Sequence, residues 1–178
     1  DGNISQEKLE TCINSDLANN FGHLCQRVIS FTIINCSGKI PEKINFEKDD
    51  LDILNKYKEN LSKIRLEIDN QNINFYVDYI INSLFDANKY FNDQEPWKKK
   101  DNPLRLNTIV YSTLEIVRKV SFLLYPIIPQ SSLKALKIFN LTEKDIDFAS
   151  IGDNTFLKQG NSINKIDILF DKIEKKND

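Results

Sequence analysis

Trp97 is the only tryptophan of the chain, and it sits in the stretch Glu95-Pro96-Trp97-Lys98-Lys99-Lys100. Pro96 has no N–H to donate, fixes its own φ and biases Glu95 away from the right-handed helical region. The indole is therefore expected at a pre-set angle, beside the end of a helix that runs through Ala87-Asn88-Lys89-Tyr90-Phe91. A large flat ring next to three ammonium groups suits an unpaired nucleic-acid base: the ring stacks on it, and Lys98, Lys99 and Lys100 attract its phosphates. The same residues also fit a tryptophan that plugs the core beneath a loop, with the lysines as a solvated face, because tryptophan is usually well buried.

A second candidate pair lies near the start. His23 and Arg27 are four residues apart, hence neighbours on one helix face, and they flank an apolar stripe rather than belonging to it. A flank of this kind faces water or a partner. Histidine and arginine there form a candidate base-reading or phosphate-reading surface, and a protein-binding flank is the alternative. Catalysis finds little support. His23 is the only histidine, so no Ser-His or Cys-His relay with a spare base can be assembled. There is no glycine-rich phosphate loop and no H-E-x-x-H. Asp49 and Asp50 are adjacent, but they read as helix-capping groups on a charged face. Binding is the expected class of function.

The elements that must position these residues are helical. Leu17, Phe21, Leu24, Val28 and Phe31 recur at helical spacing and define one apolar stripe, preceded by Asn14-Ser15-Asp16 as capping side chains. A shorter helix with Leu9 and Ile13, capped by Ser5, is expected before it. Gly22 costs the main helix about 1 kcal/mol, which is tolerable where a neighbouring helix approaches closely. Ser37-Gly38-Lys39-Ile40-Pro41 stops it. The spacing then predicts a second helix with Leu51, Leu54, Leu61, Ile64 and Ile68 inward, and a third with Phe75, Ile80, Leu84, Ala87 and Phe91 inward. A fourth opens near Pro103 and carries Ile109, Val110, Leu114, Val117, Val120, Leu123 and Leu124; Pro126 and Pro129 end it. Gln130 to Phe139 reads as a fifth helix. From Asn140 onward the chain is looser, with Thr142 as a cap for a single turn, and Ile168-Leu169-Phe170 predicts a docked terminal helix before a charged tail. No period-two pattern persists. The expected fold is all-α: an antiparallel helix bundle forming one domain over residues 1–178, with 141–178 as a looser tail.

Composition narrows the setting. With 178 residues, 40% of them hydrophobic, the chain can bury the core of one ordinary domain. Its net charge of −2 gives no global basic footprint, so any nucleic-acid contact must come from a local patch. Cys12, Cys25 and Cys36 form no C-x-x-C pair, and an odd number fits a reducing cytoplasm better than a disulfide framework. The longest apolar run, near Phe122 to Ile128, is broken by prolines and falls short of a membrane span. Neither a membrane nor DNA is an expected partner, and no metal site is expected. The absence of methionine points to a processed chain or, in preference, to a piece excised from a larger protein.

Together these stretches resemble the anticodon-binding domain of methionyl-tRNA synthetases. The opening Asp1-Gly2-Asn3-Ile4-Ser5 is similar to the Asp-Gly-Asp-Phe-Ser that closes the family's catalytic half. Asn14-Ser15-Asp16-Leu17-Ala18-Asn19-Asn20-Phe21-Gly22-His23-Leu24, followed by Arg27, resembles N-x-D-L-A-N-x-L-G-N-L-x-x-R. Asn88-Lys89-Tyr90 through Pro96-Trp97 resembles N-x-Y-x-x-x-x-x-P-W, and Leu124-Tyr125-Pro126-Ile127-Ile128-Pro129 resembles L-x-P-x-x-P. Leu169-Phe170-Asp171-Lys172-Ile173-Glu174 is similar to L-F-P-R-I-E, with Asp171 where proline is usual. The resemblance implies recognition of the CAU anticodon of tRNA(Met). Trp97 would stack on the first anticodon base, Arg27 and His23 would contact anticodon bases, and Pro96 would position Trp97. His23 departs from the family's asparagine: an imidazole offers one donor and one acceptor pointing apart, where an amide offers both in one plane. Arg27 and Trp97 are therefore expected to carry more of the discrimination. The resemblance further implies a parent enzyme that joins methionine to tRNA with ATP and Mg²⁺. Its HIGH and KMSKS motifs lie in a catalytic domain absent from this chain, so the chain itself is expected to hold no catalytic residue and no cofactor. The domain of a related Ile, Val or Leu synthetase, or a non-catalytic protein-interaction bundle, is the alternative.

Overall fold

The computed structural model describes residues 2–166, and side chains from residue 14 onward. Its elements in chain order are α1 (Gly2–Asn35), α2 (Lys48–Asp69), α3 (Ile73–Gln94), a 3-10 turn (Pro96–Lys98), α4 (Pro103–Leu124) and α5 (Pro129–Leu136). Three further 3-10 turns follow, Lys137–Phe139, Glu143–Asp145 and Phe148–Gly152. The architecture is an all-helical bundle, and the extended pairing among the described residues is a single antiparallel bridge between Lys39 and Ser162. No helix of the described residues is long and apolar enough to cross a membrane. The terminal helix expected around Ile168-Leu169-Phe170 lies outside the described residues.

α1 is one continuous helix rather than the short and long pair expected. Asn14-Ser15-Asp16 can cap, but no glycine or proline there breaks the backbone ladder, so the helix runs through them. Leu17, Phe21, Leu24 and Val28 are buried in one stripe, with Phe31 packed against the same core. Gly22 is buried. The helix ends where Ser37 and Gly38 take φ of 55° and 66°; the Gly38 N–H donates back to the Thr32 carbonyl at 3.3 Å.

α2 starts two residues before the expected cap. Glu47 is the N-cap, and the Asp50 carboxylate reaches back to accept its N–H at 2.9 Å. Ile53, Leu54, Tyr57 and Ile64 are buried. Leu51, expected inward, is exposed, because it lies about 110° from the centre of that stripe at roughly 100° per residue. Asn72 caps α3 by accepting from the Phe75 N–H at 3.4 Å. Asn102 caps α4 by accepting from the Arg105 N–H at 3.3 Å, with Pro103 in the first turn.

α4 is the axis of the molecule. It packs against α1, α2, α3, α5 and the Phe148–Gly152 turn. It is buried on every side from Thr108 to Leu124, not on one face alone. Glu115, Arg118 and Lys119 are carried inside with it. Arg118 pairs with Glu115 at 2.6 Å and donates to the carbonyls of Ser150 at 2.8 Å and Asp153 at 2.6 Å. Glu115 accepts the Leu157 N–H at 2.6 Å, and Lys119 donates to Asn154 at 2.6 Å. The segment after Asn140 holds only 3-10 turns, with Thr142 capping the Glu143–Asp145 turn, yet residues 150–157 are lashed to α4 by these charges.

Candidate nucleic-acid interface

The end of α3 is shaped by a strained residue followed by a rigid one. Glu95 sits in the left-handed region at φ 44°, ψ 57°, a conformation that costs a non-glycine residue about 1–2 kcal/mol. The reversal sends the chain out of the helix, and Pro96 opens a 3-10 turn closed by the Lys98 N–H donating to the Glu95 carbonyl at 2.9 Å. Pro96 is buried and Trp97 is 40% exposed. The elbow is braced from below. The Asp50 carboxylate, fully buried, accepts from both terminal nitrogens of Arg105 at 2.7 and 2.9 Å and from the Tyr90 hydroxyl. Arg105 also donates to the Gln94 side chain at 2.8 Å. Burial by itself would raise the Asp50 carboxyl, but the hydrogen bonds from Arg105, Tyr90 and the Glu47 N–H outweigh it and hold the group below the usual carboxylate range. The reading of Asp50 as a group on a charged face is thus corrected. Three donors from three elements converge on it, and sequence spacing cannot show that.

Phe91 joins the two expected site residues. Its ring packs edge-to-face against Trp97, with centroids 5.9 Å apart and planes at 63°. The Arg27 guanidinium lies over the same ring, 5.2 Å from the centroid. Phe31 of α1 supports Phe91 edge-on at 5.8 Å. Two asparagines one turn apart on α3 then fix the guanidinium. Nη1 donates to Asn88 Oδ1 at 3.3 Å and Nη2 to Asn92 Oδ1 at 2.7 Å. Among the described residues nothing else takes its remaining N–H groups, and because both partners are neutral amides neither cancels the positive charge.

The other expected residues are placed less uniformly. His23 is exposed one turn before Arg27 on α1, with no described residue bonded to its ring. Lys98 pairs with Glu95 at 2.8 Å, and the Lys99 ammonium donates to the Gln94 carbonyl, capping the end of α3. Lys100 is exposed and no described residue pairs with it. Phe91 is buried, as its inward spacing predicts, and Asn92 holds a partner that the spacing does not assign to it. The spacing Asn88, Phe91, Asn92 was the available signal: an aromatic flanked by two amides on one turn, just before the Pro-Trp elbow.

Residues 40–178 match the family model described as the anticodon binding domain of methionyl tRNA ligase. The chain belongs to that family. The Trp97 elbow, Asn88, Phe91 and Asn92 lie inside the matched span of this anticodon-binding domain, while Arg27 and His23 precede it. Over 152 residues the domain is 36% identical to the methionine–tRNA ligase of Brucella suis, covering 85% of this chain and 30% of that protein. It is 35% identical over 156 residues to that of Mycobacterium leprae, covering 85% and 29%. Among solved structures it resembles the apo form of Mycobacterium tuberculosis methionyl-tRNA synthetase, with a TM-score of 0.82 and 31% identity over 93% of this chain and 34% of that one. The same enzyme in complex with methionyl-adenylate matches with a TM-score of 0.81 and 31% identity, over 92% and 33%. The anticodon-binding domain thus spans about a third of the proteins it matches.

Proposed function

We propose that this domain reads the CAU anticodon of tRNA(Met) for a methionine–tRNA ligase. The catalytic domain of that enzyme lies in the same polypeptide, works in the cytoplasm, and attaches methionine to tRNA with ATP and Mg²⁺. The observation that carries the reading is the shared Phe91 ring, which puts an accessible indole and a fixed guanidinium within one base's reach of each other. The first anticodon base, a cytosine, stacks on Trp97. Its Watson–Crick edge offers two neighbouring acceptors, N3 and O2, to the donors that Arg27 has left over. Uracil presents a donor at N3 instead, and a guanidinium cannot accept it. Stacking is worth about 1–3 kcal/mol per base, and an unpaired group in the wrong pairing costs about as much again. Pro96 and the Glu95 reversal aim the indole, Lys100 adds phosphate attraction, and His23 adds a single hydrogen bond or a stacking edge.

Titrating the chain with anticodon stem-loops tests this, and quenching of its only tryptophan reports occupancy directly. A CAU loop is expected to bind more tightly than a UAU loop by tenfold or more, with Arg27→Ala abolishing most of the difference and Trp97→Ala, followed by the anisotropy of a labelled loop, weakening both loops alike. Equal affinity for all loops would leave a protein-binding bundle. Preference for an Ile, Val or Leu anticodon would assign the domain to another synthetase.

A further inference from the structure

Phe85 is 69% exposed, and it and Trp97 are the two exposed aromatic side chains among the described residues. Phe85 shares α3 with Asn88 and Asn92, the two amides bonded to Arg27. Along α3, Phe85 precedes Asn88 by three residues and Asn92 by seven. At about 100° per residue it falls within about 20° of Asn92 and about 60° of Asn88 around the helix. Its ring therefore stands in line with the two amides that hold the guanidinium, about 4.5 Å below Asn88 along the axis. No ring or cation of the described residues packs on it.

We propose that Phe85 is a second base-stacking platform, taking an unpaired base of the anticodon loop other than the one assigned to Trp97. The inference rests on the reading of this face as the anticodon site and extends it. An RNA base is favoured over an apolar protein segment by what surrounds the ring. Towards Trp97 the next outward positions are Asn88 and Asn92, and the exposed Asn82 and Lys89 flank it. On its Trp97 side the ring has only amides and Lys89, which pairs with Asp93, and a polar setting of this kind matches a base, whose face stacks and whose edges hydrogen-bond. A docking helix would need the apolar stripe to continue. It continues only the other way, through Ile81 into a groove of about 770 Å³ walled by Val77 and Ile127.

The test uses the chain with CAU stem-loops that lack one loop base at a time. Phe85→Ala is expected to weaken the intact stem-loop about tenfold, while saturating RNA still quenches Trp97. Removing one particular base, not the first of the anticodon, should cost the wild type the same factor and the variant nothing more. Phe85→Tyr should bind as wild type and Phe85→Leu as the alanine variant. Wild-type affinity in Phe85→Ala, with Trp97→Ala impaired, overturns the second platform and leaves the anticodon reading standing. Full affinity in Phe85→Leu also overturns it, because packing without a π face would then suffice. Wild-type affinity in both alanine variants would remove the RNA reading itself.

Discussion

Arg27 and Arg118 are both fixed by their neighbours, yet the partners differ in kind. Arg118 is fully buried and its guanidinium is spent: one carboxylate and two backbone carbonyls take its donors, and the charge is neutralised inside the fold. Arg27 is exposed, held by two uncharged amides and an aromatic face, so its position is set while its charge and remaining donors stay available. A carboxylate partner spends an arginine's charge within the fold; an amide partner leaves that charge available. Arg105 follows the first pattern, being bound by Asp50, and serves to brace the elbow rather than to meet a ligand.

The largest expected effect comes from breaking the spent arginine. Glu115→Ala leaves a buried guanidinium without its counter-charge and frees the 150–157 segment from the Leu157 N–H bond. A loss of about 3–5 kcal/mol is expected in urea unfolding. The folded fraction should keep its RNA affinity, because the Phe91 cluster lies elsewhere. Equal loss of RNA affinity per folded molecule would mean that the two regions are coupled.

Lys119 supplies a pH test of the same buried region. Burial, followed by the neighbouring Arg118 charge, pulls its ammonium down to about 7 against the opposing pull of Glu115 and Asp153. The Tyr57 ring and Asn154 also face it. The folded value lies below the unfolded one, so the unfolded chain binds more protons between pH 7 and about 10.5, and stability should rise with pH across that window. Below pH 7 the full penalty of a charged, buried lysine remains. Urea midpoints measured from pH 6.5 to 9.5 should climb in the wild type and stay flat over that rise in Lys119→Met.

Asn92→Asp converts the exposed arginine towards the buried type. The new carboxylate would pair with Arg27 and repel phosphates. RNA affinity is expected to fall several-fold while stability gains less than about 1 kcal/mol, as for other surface pairs. Unchanged binding would show that charge availability is not what distinguishes the two arginines. The smallest effect is expected at the lysines. Lys100→Ala should reduce the slope of log affinity against log salt by about one. Lys98→Ala, whose ammonium is already engaged by Glu95, should change it less.

Helix type, the course of α2 to α5 and most inward positions were legible because burial repeats with the helical period: Leu17, Phe21, Leu24 and Val28 announce one face whatever covers it. Pro96, Pro103 and Gly38 likewise act on their own backbone, so their turns could be read locally. Residues fixed by several elements at once could not. Asp50 looks like a charged-face carboxylate until Arg105 and Tyr90 arrive from α4 and α3. Glu115, Arg118 and Lys119 look like the outer face of an amphipathic helix until the neighbouring elements surround it. Residue types and spacing alone nominated Trp97 and Arg27. Their meeting on Phe91, and the choice of Asn88 and Asn92 over a carboxylate as partners, depend on how α1 lies against α3. Contacts between residues more than sixty positions apart are set by helix packing, which no local pattern encodes.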